Sequence, residues 1–213
     1  MALFERKKNK KVVEEKVIPT NIDQMTDEEL KQVLRDIKLS ELPNEYFTNL
    51  RSLFAVLKYY SYYGRSAGQV IFDRIPEELK NDREFLLKAT DFDTGYFEFF
   101  PEKFKKDREF ILDVIKLNKD CGSFVFDYLK PYIPLDREFL LKAIKITPKI
   151  LYIVPKELRV NKKFMLDAFK MGGVGCLDFA DKILFYDPTF QKEMQEVSDK
   201  RVDKLFSAPD ENE

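Results

Sequence analysis

An all-α fold is predicted, an α-solenoid of short stacked helix pairs with about 25 residues per unit. Three features of the sequence predict it. The tetrad Asp82-Arg83-Glu84-Phe85 returns as Asp107-Arg108-Glu109-Phe110 and Asp136-Arg137-Glu138-Phe139, with a degenerate copy at Asn161-Lys162-Lys163-Phe164 and a weaker one at Asp187-Pro188-Thr189-Phe190. Successive tetrad phenylalanines are 25, 29, 25 and 26 residues apart. The residues after them repeat too: Leu86, Ile111, Leu140 and Met165, then Leu87, Leu112, Leu141 and Leu166, and two positions on Ala89, Val114, Ala143 and Ala168. Finally, a Pro-initiated segment recurs before the tetrad, at residues 75–82, 100–107 and 154–161.

Each element follows in chain order. Residues 1–20 read as a basic tail, with six Lys/Arg against three Glu between residues 5 and 16. A single helical-repeat domain is expected over 21–206. Thr26 and Glu29 fit a capping box, which predicts a lead helix over 27–38. A diverged opening unit spans 44–79, with one long first helix at 45–64 and a second helix from 68. The repeats follow over 75–190. In each, Asp82, Asp107, Asp136 or Asn161 is placed to cap a helix, its side-chain oxygen accepting an orphan N–H of the first turn. The glutamate after the arginine sits at the positive end of the helix dipole. Helix 137–145 is apolar at five positions, as expected of a helix buried on most sides. Turns are expected at 91–95, 117–122, 146–148 and 171–175. Shorter second helices follow, such as 148–154 with Thr147 as cap and Pro148 in the first helical position. Phe100-Pro101 and Val154-Pro155 end them, because the residue before proline avoids the α region. A capping helix with a solvated outer face is predicted over 189–206, then an acidic tail at 207–213.

The repeated residues resemble the helical-repeat family known as domain of unknown function 4116. The matching stretches are 79–89, 104–114, 133–143 and 158–168, and the resemblance covers about 75–190. The middle unit is stretched by four residues, and the fourth tetrad has lost both acids. The resemblance implies a helical-repeat fold and no established activity.

Composition narrows the function. Among 213 residues, 37 Lys+Arg and 38 Asp+Glu leave a net charge of −1, and 44% of the chain is apolar, which excludes a wholly disordered chain. The chain has no His, which removes Ser-His-Asp and Cys-His nucleophile systems and the H-E-x-x-H metal helix. Two Cys cannot build a disulfide framework, so a reducing cytosol is expected, or a host cytosol or virion if the source is viral or an effector. No run reaches the roughly 18 apolar residues of a membrane span.

Most candidate sites have plain structural roles. Glu84, Glu109 and Glu138 suit helix-end electrostatics better than acid–base chemistry. Arg83, Arg108, Arg137 and Lys162 suit a self-compensating charged face better than a phosphate-binding ladder. Residues 171–175 read as a flexible turn, since they match no phosphate-loop pattern. Cys121 and Cys176 read as small buried residues. The segment that stands apart is Tyr59, Tyr60, Tyr62 and Tyr63, four tyrosines in five positions and the candidate protein interface. No catalytic residue, metal ligand or cofactor is expected. The expected function is a non-enzymatic protein–protein interaction or structural module, a scaffold whose partner is unidentified and which could self-associate. The rivals are a nucleic-acid-associated protein using the basic arm, a reading the single Arg6 and sparse aromatics disfavour, and an enzyme built on carboxylates or a Cys.

Overall fold

Thr26 starts the first helix. Its Oγ1 accepts from Glu29 N at 3.2 Å while the Glu29 carboxylate accepts from Thr26 N at 2.7 Å, closing a capping box on α1 (Asp27–Asp36). The structure, a computed structural model, describes residues 17–122 and 125–206; the basic residues 5–16 and the acidic tail 207–213 lie outside it. α1 is two residues shorter than predicted, because Ile37 turns extended and buries its side chain.

The long helix predicted over 45–64 is three pieces: α2 (Glu45–Thr48), α3 (Leu50–Tyr60) and a 3-10 turn at Ser61–Tyr63. Asn49 makes the first break. Its backbone is extended, and its side chain accepts from Arg51 N and Ser52 N at 3.0 and 3.3 Å, so it caps α3 instead of continuing α2. Gly64 makes the second, with φ 72°, and sends the chain into α4 (Arg65–Arg74).

The repeats then alternate a ten- or eleven-residue helix with short pieces. In order these are α5 (Glu77–Lys80), α6 (Arg83–Phe92), a 3-10 segment Thr94–Phe99, α7 (Glu102–Lys105), α8 (Arg108–Leu117) and α9 (Phe126–Leu129). After them come α10 (Arg137–Ile146), a 3-10 segment Pro148–Tyr152, α11 (Lys156–Arg159), α12 (Lys162–Gly172), 3-10 segments Val174–Phe179 and Lys182–Tyr186, and α13 (Pro188–Phe206). The expected second helix is a true helix in the opening unit (α4) and one α turn in the stretched unit (α9); elsewhere it is a 3-10 segment, followed in two units by one α turn. Phe100 and Pro155 mark that junction: Phe100 is extended (ψ 155°), and Pro155 opens α11 without needing an N–H partner. The predicted turn at 91–95 is shorter than expected, since α6 runs to Phe92 and Asp93 alone is extended, accepting from Gly95 N at 2.8 Å. Among the described residues there is no strand, and no helix is long and apolar enough to cross a membrane.

Tetrad side chains cap the repeat helices. Asp82, Asp136 and Asn161 accept from Phe85 N, Phe139 N and Phe164 N at 3.0, 3.0 and 2.9 Å; Asp107 and Asp187 each accept from two amides. In the first four tetrads the phenylalanines, the residues after them and the small residues four positions on are all buried, as in Phe139, Leu140 and Ala143. Leu87 and Leu141 are only partly buried. Leu112 and Leu166 are buried, so α8 and α12 are covered on more sides than α6 and α10. The buried faces pack α3 on α6, α6 on α8, α8 on α10, α10 on α12 and α12 on α13. A second layer sets α4 against Thr94–Phe99, that segment against α9, and Pro148–Tyr152 against Val174–Phe179. One apolar core runs continuously from Ile22 to Phe190.

Charges bind each unit to the next. Arg83 pairs with Asp113 on α8, and Arg137 pairs with Asp167 on α12. Both acids lie six residues after a tetrad's first position. The intervening unit has Lys142 at that position, so Arg108 turns to the cap Asp136 instead, in a two-pronged bond of 2.7 and 3.0 Å. Lys162 reaches Asp187 at 3.4 Å and Glu193 at 4.0 Å. Arg83 and Arg108 also lie over the tetrad rings Phe110 and Phe139 of the following unit, 5.0 and 5.2 Å from the centroids. Compensation of charge is therefore between units, not within each tetrad.

Candidate functional site

Two arginines fix the ground on which the tyrosine segment stands. Arg51, at the start of α3, donates to the carbonyls of Ile22 and Met25 at 3.1 and 2.7 Å and pairs with Asp27 at 2.5 Å, locking α3 to the beginning of α1. Arg74, at the end of α4, donates to the carbonyls of Leu39 and Leu42 at 3.3 and 2.5 Å and lies 3.8 Å over the Phe47 ring. Arg51 thereby satisfies carbonyls before α1, and Arg74 satisfies carbonyls between α1 and α2.

The four tyrosines then divide. Tyr60 belongs to the core: it is 7% exposed, and its hydroxyl donates to Ile37 O at 3.4 Å. Tyr59 is half-buried, with its ring edge-on to Tyr60 at 5.0 Å and stacked on Tyr63 at 5.9 Å. A hydrogen bond with Tyr63, then burial, holds the Tyr59 phenol above its ordinary value. Tyr62 and Tyr63 are 94% and 60% exposed, so the sequence candidate Tyr60 leaves the site and these two remain its open face.

A groove of about 680 Å³ runs along this face between α1 and α3. Leu34, Ala55, Tyr59 and Tyr63 give it an apolar floor; Lys31, Arg35 and Lys58 stand exposed along its edges, with Tyr62 at one end. Sequence reasoning missed the floor and the cations. The signal was present as spacing: Lys31, Leu34 and Arg35 share one helical face, as do Ala55, Lys58, Tyr59 and Tyr62. Tyr62 also borders a second groove of about 400 Å³, which has Asp91, Asp93, Asn118, Cys121 and Tyr128 in its wall. Burial raises the Asp93 carboxyl above its usual range, even though the bond from Gly95 N opposes this. Thr94 donates to Asn118 there at 3.2 Å, in a buried contact between units.

The other sequence candidates take structural places. Glu84, Glu109 and Glu138 are exposed in first turns, and Glu138 pairs with Lys142 at 3.1 Å. The Arg83, Arg108, Arg137 and Lys162 series spends its charge on neighbouring units, as above. At Gly172 a Cβ would stand 2.8 Å from Ile144 Cγ2 and 3.0 Å from Ile144 O, so the glycine permits α12 to close on α10; Gly173 has φ 82°. Cys176 is buried and donates to Ala168 O at 3.2 Å. Cys121 is exposed, contrary to the sequence reading. Among the described residues no group of His, Cys, Asp and Glu is arranged to hold a metal ion.

Helices stacked unit upon unit, with a tetrad capping each, define an all-α helical-repeat protein. Residues 91–130 and 136–185 match a family model, the domain of unknown function DUF4116, which is the family that the tetrads resemble. The match begins after the first tetrad, and its gap at 131–135 falls at the end of the stretched unit. No curated protein and no solved structure matches the chain.

Proposed function

We propose that this protein is a non-enzymatic interaction module that binds another protein through the tyrosine groove between α1 and α3. One observation carries the reading: Tyr62 and Tyr63, 94% and 60% exposed, line a groove of about 680 Å³ with an apolar floor. Large exposed aromatic area beside exposed cations is the composition of a binding patch, since tyrosine offers apolar surface with a hydrogen-bonding tip at small entropic cost. Stacked repeats supply the rigid platform on which such a patch is held. The chain's two cysteines, too few for a disulfide framework, favour a reducing compartment such as the cytosol.

The test is a photo-crosslinking amino acid at position 62, followed by mass spectrometry of the captured protein and reconstitution with that protein purified. Binding is expected to vanish in Tyr62→Ser/Tyr63→Ser while the thermal melt stays unchanged. Undiminished binding by that folded double variant sinks the proposal.

A further inference from the structure

We propose that the occupant of the tyrosine groove is an acidic peptide segment of the partner, anchored by an aromatic or aliphatic side chain; this rests on the groove being a protein-binding site. The floor sets the anchor. Half-buried Ala55 and Tyr59 and the 60% exposed Tyr63 ring supply the accessible apolar surface, with Leu34 buried beneath them, so a side chain laid there trades water for apolar contact. The edges set the charge. Lys31 is held by Glu28 at 2.6 Å, whereas Arg35 and Lys58 form no ion pair among the described residues. A guanidinium with its fork open to solvent takes a carboxylate in two bonds.

Polyphosphate chains fit this charge poorly. Among the described residues, Lys31, Arg35 and Lys58 stand against Glu28 and Asp36, three cations against two acids, a net +1 around the groove. A nucleic-acid backbone is held by neutralising several phosphates at once, while a short acidic segment needs one or two matched contacts. The neighbouring groove fixes direction. It shares Tyr62 and carries Asp91 and Asp93, so a bound segment lies with its acids toward α1 and its donors toward α6.

A phage-displayed random-peptide library panned on the full chain provides the probe, with the enriched peptides then synthesised. They are expected to carry acids flanking an aromatic or leucine. Arg35→Glu/Lys58→Glu is expected to weaken them on the order of tenfold or more, and Tyr62→Ser/Tyr63→Ser to abolish binding. If the tyrosine variant abolishes binding and the charge reversal changes nothing, the acidic occupant is overturned and the groove stands. If neither variant matters, or nothing enriches, the groove itself falls. Charge-dependent binding of an oligothymidylate, or self-association lost in the same variants, overturns the proposal in favour of single-stranded nucleic acid or a second copy.

Discussion

Tyr60 and Tyr62 are two residues apart in a run that the sequence presents as uniform, yet their substitution should have opposite consequences. Tyr60→Ala removes a ring that is 7% exposed. A buried tyrosine removes about 150–250 Å² from water, worth roughly 4–6 kcal/mol at about 25 cal/mol per Å² as an upper bound. Aromatic-to-alanine changes in cores cost about 3–5 kcal/mol, which agrees. The hydroxyl adds little, because its bond to Ile37 O is long at 3.4 Å. Taking about 3–4 kcal/mol, and about 2–4 °C per kcal/mol for a chain of this length, the melting temperature should fall by roughly 6–16 °C. Tyr62→Ser, at a residue 94% exposed, should change stability by no more than about 0.5 kcal/mol while abolishing partner binding. Circular dichroism at 222 nm during urea and thermal unfolding measures both. The division of the cluster is refuted if Tyr62→Ser loses more than about 1 kcal/mol, or if Tyr60→Ala leaves the transition where it was.

Other expectations concern the stack. In a double-mutant cycle, Arg83→Met and Asp113→Asn should show a coupling of up to about 1 kcal/mol that shrinks in high salt, since both side chains are about half exposed; zero coupling at low salt would remove the ladder from the account. Gly172→Ala should destabilise by about 1–3 kcal/mol through overpacking against Cys176 and Ile144, and Gly64→Ala, with open space around its Cβ, by about 1–3 kcal/mol through its positive φ alone. Both are read from urea midpoints, and unchanged or stabilised values would contradict the geometry. Acid should weaken the fold. The Arg108 side chain holds Asp136 well below the usual carboxylate range, and the amide of Phe190 lowers Asp187. A depressed carboxylate contributes stability above its unfolded pKa of about 4 and loses it as pH falls through the folded value. Melts between pH 7 and 3 should therefore decline below about pH 4, and less steeply in Asp136→Asn; a parallel decline in that variant refutes the assignment.

The local parts of the fold were legible, and the reason is range. A cap and the amide it serves are two or three residues apart, so Thr26, Asp82, Asp107, Asp136 and Asn161 could be placed from sequence. Breaks inside a helix-like pattern were not legible. Asn49 is a good cap by type, but it lies inside a continuous apolar pattern, and distant bonds fix it there: Asp23, 26 residues upstream, accepts from its side-chain amide at 2.8 Å and Ser52 Oγ donates back to Tyr46 O at 3.2 Å. The charged ladder was half visible: the alternation of signs could be read, but its direction could not. Arg83 finds Asp113 only because α6 and α8 lie side by side.

Sequence by itself determined that this chain is a helical repeat, where its units begin, and that four tyrosines interrupt the pattern. Those properties depend on neighbours within a turn or on comparison between units. Only the tertiary structure decided which tyrosines are core and which are surface, and that α1 supplies the cations beside them. Tyr60 points at Ile37 and Tyr62 at solvent because Arg51 fixes the start of α3 against the start of α1, Tyr60 fixes its end against Ile37, and the chain then tightens into a 3-10 turn. Contacts between residues about two dozen positions apart are set by how elements pack, and no local pattern encodes that packing.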